Sequence, residues 1–325
     1  MTDISMIHAA AERLAGHVRR TPLLSSPFLD EIAGRRVLIK PECLQHTGSF
    51  KFRGGWAALS ALDPVARARG VIAFSSGNHA QGVAYAAKLH GVPSTIIMPA
   101  DAPALKIANT RALGADVVLY DRAGGEDRNE IGDRLAAERG LTLIKPYDEP
   151  QVIAGQGTCG LEIAEQAAEL GITDADVLVC CGGGGLTSGI ALALEHHAPA
   201  MTVRPVEPEG FDDVARSLVA GAIQTNNGPQ VGLCDAIITP APGNITFPIM
   251  HRLCGPALVV SDDETRASMR HAFTRLKLVA EPGGAVALAA ALFHADQIKT
   301  NTVIVTISGG NVDPSLFAQI LTEAD

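Results

Sequence analysis

The sequence predicts an α/β protein in which parallel β-sheets are flanked by helices. Short β-branched runs alternate along the 325 residues with amphipathic stretches, and this order favours parallel strands joined by helices. Several of the strand-like runs are continuously apolar, as expected for strands buried on both faces. Apolar residues make up 47% of the chain but aromatic residues only 4%, so small side chains must fill a large core.

Eight strands and six helices follow from these patterns. The predicted strands span residues 37–41, 70–75, 93–98, 115–120, 141–144, 177–181, 202–207 and 302–307. The predicted helices span residues 80–90, 105–113, 128–139, 151–170, 186–197 and 262–278.

Two proline-containing breaks, near residues 63–64 and 146–150, delimit a segment of alternating strands and helices. This segment has about three βα units of its own, enough for a separate sheet. We therefore predict a large domain formed by residues 1–65 and 148–325, with a smaller domain inserted at residues 66–147.

Composition and charge disfavour several classes of function. The net charge of −9 and the lack of a basic run disfavour binding to nucleic acid or to an anionic membrane. No stretch approaches the roughly 18 apolar residues of a membrane span. The six cysteines lack CxxC or metal-ligand spacing, so we interpret them as reduced and mostly buried. The first 15 residues do not resemble a signal peptide, and we expect a cytoplasmic protein.

A lysine between two phenylalanines is the first candidate for chemistry, in the segment TGSFKFRGG at residues 47–55. If the rings of Phe50 and Phe52 pack inward, the Lys51 amine loses water, and desolvation favours its neutral form. A neutral amine is what a Schiff base with an aldehyde requires. The other interpretation of Lys51 is a solvated surface charge.

The segment SSGNHAQG at residues 75–82 joins an apolar run to a predicted helix. Ser75 and Ser76 either cap this helix or, with the backbone N–H groups at its start, bind a carboxylate. In the second case Asn78 is free to contact a ligand oxygen. We interpret His79 as a packing or supporting histidine and not as a metal ligand.

Four consecutive glycines stand between a predicted strand and a predicted helix, in CGGGGLTSG. Such a run is costly to order, and it makes sense where backbone N–H groups wrap an oxyanion at a helix start. A dinucleotide site stays open here: the run fails the strict GxGxxG pattern, but Glu207 ends the next strand where a ribose-binding acid would fall. The predicted phosphate site consists of Gly182, Gly183, Gly184 and Gly185.

Two further segments follow predicted strands. SGGNVD begins at Ser308, whose hydroxyl either belongs to a strand-to-helix turn or contacts a ring nitrogen. EPEGFDD at residues 207–213 is either solvated loop charge or a site for a hard divalent cation, held by carboxylates and a free carbonyl.

Taken together, these segments resemble the threonine dehydratase and serine racemase family of pyridoxal-phosphate enzymes, which includes 3-hydroxyaspartate dehydratases. The resemblance displaces the dinucleotide interpretation, which has no use for Lys51. It implies a two-domain, doubly wound fold like that of the tryptophan synthase β subunit, with the cofactor in the cleft between the domains. The matching segments occur in the family's order at residues 49–54, 75–82, 182–185, 207–213, 281–284 and 308–313.

The resemblance also implies roles for individual residues. Lys51 binds the aldehyde of pyridoxal phosphate and, once released, takes the substrate's α-proton as the general base. The other implied cofactor contacts are Phe50, Asn78 at the ring hydroxyl, Gly182, Gly183, Gly184 and Gly185 at the phosphate, and Ser308 at the pyridine nitrogen. The implied substrate contacts are Ser75, Ser76 and His79, with Arg128 for a second carboxylate. An implied divalent cation (Mg²⁺, Mn²⁺ or Ca²⁺) is held by Glu207, Asp213 and the backbone carbonyl of Phe211.

The implied reaction eliminates the β-hydroxyl of serine, threonine or 3-hydroxyaspartate to give a 2-oxo acid and ammonia. A neutral Ser308 cannot hold the ring nitrogen protonated as a carboxylate could, and this favours elimination over transamination. Racemisation stays open as an alternative, because the family's racemases use a serine at position 76 as the acid on the face opposite Lys51. We expect a homodimer that acts on a small amino acid.

Overall fold

The computed structural model describes residues 2–75, 77–102, 104–121, 124–228 and 231–323. Within these ranges ten strands form two separate sheets. The strands are β1 (Leu24–Ser25), β2 (Arg36–Pro41), β3 (Val71–Phe74), β4 (Ser94–Pro99), β5 (Asp116–Tyr120), β6 (Thr142–Leu143), β7 (Asp176–Cys180), β8 (Thr202–Pro208), β9 (Leu258–Val260) and β10 (Thr302–Ile307).

Fourteen α-helices in the described residues surround the two sheets. They are α1 (Ile4–Leu14), α2 (Pro27–Ala33), α3 (Lys51–Ala61), α4 (Pro64–Arg69), α5 (Asn78–His90), α6 (Ala104–Ala112), α7 (Arg128–Arg139), α8 (Pro150–Glu169), α9 (Gly185–His197), α10 (Asp213–Ala220), α11 (Thr246–Leu253), α12 (Asp262–Leu276), α13 (Pro282–Phe293) and α14 (Pro314–Thr322).

The larger sheet has the strand order β1-β2-β10-β7-β8-β9. Only the edge strand β1 is antiparallel to its neighbour, and the other described pairings of this sheet are parallel. Because β2, β10 and β7 are adjacent and parallel, the segments that follow them begin at the same edge. These segments carry Lys51, Ser308 and the four glycines.

The smaller sheet has the order β5-β4-β3-β6, and its described pairings are parallel. Its strands lie between residues 71 and 143, inside the segment predicted as the smaller domain. The predicted domain boundaries themselves stay a prediction. Ser75 follows β3 directly, so the segment predicted to bind the substrate begins at the carboxyl edge of this second sheet.

The predicted α/β class is confirmed, and the eight predicted strands and six predicted helices are present with ends shifted by no more than two residues. The prediction missed the short edge strands β1 and β9 and several helices. Helix α13 illustrates why: it is buried on almost all sides in the larger sheet's core, so it has no amphipathic period. No helix in the described ranges is long and apolar enough to cross a membrane.

Most of the cysteines are buried, as the sequence predicted. All six thiols are free, and none forms a disulfide within the described part of the chain. Four of them are buried, namely Cys159, Cys180, Cys181 and Cys234, while Cys43 and Cys254 are partly exposed.

Candidate functional site

Residues that follow strands of both sheets line one cavity of about 190 Å³. Its wall contains Lys51, the four consecutive glycines, Ser308 from the larger sheet's edge and Ser75 from the smaller sheet's edge. The structure therefore brings together four of the sequence motifs, which are far apart along the chain. A polar cavity at the carboxyl ends of parallel strands is where open α/β sheets bind their ligands.

Lys51 begins helix α3 and its amine points into this cavity. The Nζ atom donates a hydrogen bond to the backbone carbonyl of Pro146 at 2.7 Å and lies 5.0 Å from the centre of the Phe50 ring. The rings of Phe50 and Phe52 are both buried, which meets the condition under which the sequence implied a desolvated amine. Burial lowers the pKa of Lys51 to about 8, while the carboxylate of Glu281 opposes this shift.

The SGGN motif is joined to the lysine motif by backbone hydrogen bonds. The N–H of Phe50 donates to the carbonyl of Ser308 at 3.1 Å, and the N–H of Gly310 donates to the carbonyl of Gly48 at 2.9 Å. Ser308 is only 4% exposed and lines the cavity. These bonds fix the distance between the amine-bearing segment and the serine.

The four glycines form a turn that leads directly into helix α9. Gly184 has a φ of 88°, in the left-handed region that favours glycine, and a Cβ there would lie 2.5 Å from the Cε atom of Met250. A Cβ on Gly183 would lie 2.3 Å from the ring of Tyr147. Side chains are therefore excluded, and backbone N–H groups at the helix start remain available to an anion.

Asn78 is held by two side chains at the cavity. Its amide nitrogen donates to Glu281 at 2.5 Å, and its amide oxygen accepts from Asn311 at 2.7 Å. Glu281 is 3% exposed, and burial raises the pKa of its carboxyl to about 7. The sequence prediction did not assign a role to Glu281, although the segment 281–284 was one of those that matched the family.

His79 is buried beside the cavity, and its Nε2 atom lies 2.9 Å from the carbonyl of Ile144. Burial lowers its pKa to about 3, so the ring is neutral and Nε2 must carry the proton that this carbonyl accepts. Nδ1 then carries a lone pair and no proton, so it cannot donate a hydrogen bond to a carboxylate. His79 can still contribute its backbone N–H, which lies in the first turn of helix α5.

A family model described as "Pyridoxal-phosphate dependent enzyme" matches residues 14–309. The chain belongs to this family. Among known relatives it is 47% identical to the L-threo-3-hydroxyaspartate ammonia-lyase of Pseudomonas sp., over 96% of each chain. It is 41% identical to the serine racemase of Schizosaccharomyces pombe, over 98% of this chain and 96% of the relative. The crystal structure of the T.th. threonine deaminase matches with a TM-score of 0.90 and 44% identity, over 96% of this chain and 99% of the other.

The residues of the cavity fit the cofactor of a pyridoxal-phosphate dependent enzyme. The partly neutral amine of Lys51 suits its aldehyde, and the four glycines exclude side chains where a phosphate would need backbone donors. The hydroxyl of Thr239 lines the same cavity, is buried and has no hydrogen-bond partner among the described residues. A buried hydroxyl of this kind is expected to gain a partner from a bound polar ligand.

One predicted substrate residue lies outside the described cavity wall. Arg128 is exposed at the start of helix α7 and is not one of the described residues that line the cavity. Ser76 lies outside the described residues. The cavity wall instead contains a lysine that the sequence prediction missed, Lys106 of helix α6, which forms an ion pair with Asp235 at 3.1 Å.

Two of the predicted cation ligands, Glu207 and Asp213, lie near each other at the start of helix α10. Glu207 is fully buried, and its two oxygens accept from the backbone N–H groups of Val214 and Ala215 at 3.0 and 2.7 Å. Burial and the nearby Asp213 raise the pKa of Glu207 well above its usual value. In the described ranges, no cluster of three or more His, Cys, Asp or Glu side chains is arranged to hold a metal ion.

Asp213 is also buried, but its two oxygens differ in their partners. One of its oxygens accepts from Asn226 at 2.6 Å, whereas the other is buried without a hydrogen-bond partner in the described part of the chain. Burial raises the pKa of Asp213 to about 6. An unpartnered buried carboxylate oxygen beside a second carboxylate fits a hard cation that prefers oxygen ligands.

Proposed function

We propose that this enzyme eliminates the β-hydroxyl of a 3-hydroxy amino acid and releases a 2-oxo acid and ammonia. The observation that carries this proposal is a lysine with a lowered pKa in one cavity with four consecutive glycines and a neutral serine. Relatives that are named L-threo-3-hydroxyaspartate ammonia-lyase and threonine deaminase support the same class of reaction.

The residues proposed to hold the cofactor all line the cavity. Lys51 would bind its aldehyde, with the Phe50 ring beside the amine. Ser308 would meet the pyridine nitrogen as a neutral partner, and Asn78, held by Glu281, would meet the ring hydroxyl. The phosphate would lie against the backbone N–H groups of Gly182, Gly183, Gly184 and Gly185.

The bound cofactor supplies an electron sink for the electron pair that remains on the substrate's α-carbon when its proton leaves. Lys51 is proposed to take this proton, because its lowered pKa leaves a large neutral fraction near pH 8. Ser308 keeps the sink weak, since a hydroxyl does not stabilise a protonated ring nitrogen as a carboxylate would. A weak sink then favours departure of the β-hydroxyl over transamination.

The substrate's α-carboxylate is proposed to bind at the start of helix α5. Ser75, Ser76 and the backbone N–H of His79 would supply donors there, and the positive end of the helix would favour the negative charge. The ring of His79 supports this loop through its bond to Ile144. The predicted contact between Arg128 and a second carboxylate is not supported by the position of Arg128.

We also propose that Glu207, Asp213 and the carbonyl of Phe211 hold Mg²⁺, Mn²⁺ or Ca²⁺, which would offset the cost of burying two like charges. The resemblance to the serine racemase family supports a homodimer. The six free cysteines are compatible with a reducing compartment, and we propose a cytoplasmic location on that basis.

One assay tests the proposed function. The purified protein, loaded with pyridoxal phosphate, is given L-serine, L-threonine and L-threo-3-hydroxyaspartate, and release of 2-oxo acid and of ammonia is measured. We expect release from at least one substrate, and its loss in Lys51→Ala. A wild-type protein that binds the cofactor but releases no 2-oxo acid from any of them would overturn the proposal.

The same assay measures racemisation, which the serine racemase relative makes the second candidate. L-serine is incubated with the loaded protein, and D-serine and pyruvate are followed together. The proposed lyase forms pyruvate faster than D-serine. The opposite ratio would assign the main activity to racemisation.

A further inference from the structure

We infer that Lys106 selects amino acid substrates that carry a second carboxylate on the carbon bearing the hydroxyl. This inference rests on the proposed function and adds a substrate class to it. Lys106 belongs to helix α6, next to the smaller sheet, and lines the same cavity as Lys51. Its side chain is 22% exposed, so it is largely enclosed by protein.

Among the described residues of the cavity wall, Lys106 is the cation that remains available to bind a substrate anion. Among the described lining residues, Lys51 and Lys106 are the lysines, and Lys51 is proposed to be bound to the cofactor. His79 is neutral and its ring bonds to a backbone carbonyl. The acidic members of the wall, Asp235 and Glu281, repel a second carboxylate unless Lys106 compensates for them.

Lys106 is near enough to Glu281 to stabilise its ionised form, as Lys51 is also. The positive charges of Lys51 and Lys106 therefore both lie near the carboxyl group of Glu281. An amino dicarboxylate whose amine is held near Lys51 would bring its second carboxylate into the same cavity, where Lys106 is the other lysine of the described wall. Serine and threonine have hydrogen or methyl in place of that carboxylate and gain nothing from Lys106.

The ion pair between Lys106 and Asp235 is easily broken in favour of another carboxylate. The amine of Lys106 lies 3.1 Å from Asp235, whose side chain is 61% exposed. Ion pairs with such an exposed partner contribute little to stability, because water solvates the carboxylate almost as well. A substrate carboxylate can thus replace Asp235, which turns to solvent, while the lysine keeps a charged partner throughout.

The test compares substrates within each variant. The kcat/KM for L-threo-3-hydroxyaspartate is divided by that for L-threonine, which measures selectivity for the carboxylate. We expect this ratio to fall by about tenfold or more in Lys106→Met, mainly through a higher KM for the dicarboxylate, and to be largely retained in Lys106→Arg. Lys88→Met is the matched control, because Lys88 is an exposed lysine of helix α5 outside the described cavity wall.

A second variant keeps the test decisive if Lys106→Met does not fold. Asp235→Asn removes the competing carboxylate and leaves Lys106 in place, so the ratio is expected to rise. An unchanged ratio in the folded Lys106→Met protein would overturn the inference. If that protein does not fold, an unchanged ratio in Asp235→Asn would overturn it.

If the proposed lyase function is wrong, the experiment gives a result different from the one expected when only the role of Lys106 is wrong. The wild-type protein would then release no 2-oxo acid, yet binding could still be followed through the cofactor's absorbance. In a titration with L-aspartate and L-alanine, Lys106→Met should weaken L-aspartate binding relative to L-alanine binding. Equal weakening of the two, or none, would overturn the role of Lys106 independently of turnover.

Discussion

The amine of Lys51 donates a hydrogen bond to the backbone carbonyl of Pro146 across 2.7 Å. Lys51 follows strand β2 of the larger sheet, and Pro146 follows the last strand of the smaller one, so this bond joins segments of the two sheets. A carbonyl can also accept a hydrogen bond from a neutral amine. The bond therefore orients the amine without requiring its charge, and the lone pair of the neutral form stays available.

The lowered pKa of Lys51 predicts how cofactor loading depends on pH. Only the neutral amine attacks an aldehyde, and its pKa is about 8 in the folded protein. The rate of loading should therefore rise about tenfold per pH unit at acidic pH and become level above pH 8. The measurement is the growth of the cofactor's absorbance band after pyridoxal phosphate is added to the apoprotein. A rate that still rises toward pH 10, as for a solvated lysine, would contradict the geometry.

Gly184 gives a prediction about the phosphate cradle. An alanine there needs a left-handed backbone, which costs roughly 1–2 kcal/mol, and its Cβ would also clash with Met250. We expect Gly184→Ala to weaken binding of pyridoxal phosphate by about tenfold or more, as measured by equilibrium titration of the apoprotein. The matched control is Gly171→Ala, because Gly171 has a φ of 69° with no atom within 4 Å of the added Cβ. Equal affinities of the two variants for pyridoxal phosphate would contradict the prediction, because the turn formed by the four glycines would then tolerate a side chain.

Much of the fold was predictable because buried parallel strands appear as continuous apolar runs. The short strands β1 and β9 escaped prediction since two or three residues show no period. Helix α3 escaped because Gly54 and Gly55 disfavour a helix. Contacts with other parts of the fold explain why glycines stand in this helix. A Cβ on Gly54 would lie 2.9 Å from Val152, and one on Gly55 would lie 3.1 Å from the backbone of Gly82. Close packing of helices required these glycines.

The site was predictable where chemistry is concentrated in a local motif. The lysine, the four glycines and Ser308 each stand within a recognisable segment, and the order of these segments identified the family. Glu281 and Lys106 each come from a segment whose local pattern gives no reason to single out that side chain. Only the packing of the two sheets reveals them at the cavity wall. Wall residues that lie outside a recognisable motif have no such signature in a single sequence.

The buried carboxyl of Glu281 predicts a dependence of stability on pH. Its pKa is raised from 4.5 to about 7, so between these values the folded protein retains a proton that the unfolded chain loses. Stability from this group is therefore complete below pH 4.5 and declines as the pH rises to 7, by up to roughly 3 kcal/mol. Glutamine cannot ionise and can still accept the hydrogen bond from Asn78.

Glu281→Gln should therefore raise the thermal unfolding midpoint of the apoprotein at pH 8, and by much less at pH 4.5. Glu31→Gln removes a charge from an exposed position of helix α2 and serves as the control, with little change expected at either pH. A midpoint that falls in Glu281→Gln at pH 8 would show that the ionised carboxylate stabilises the folded apoprotein.

The unpartnered oxygen of Asp213 gives a prediction about cation binding. If Asp213 and Glu207 hold a divalent cation, Mg²⁺ should stabilise the folded state and raise the thermal unfolding midpoint of the chelator-treated protein. Asp213→Asn keeps the size of the side chain but removes its charge, so the response to Mg²⁺ should largely disappear. Asp263→Asn, at an exposed position of helix α12, should respond as the wild type does. If Mg²⁺ shifts wild type and Asp213→Asn equally, or shifts neither, the two carboxylates serve as helix caps and not as cation ligands.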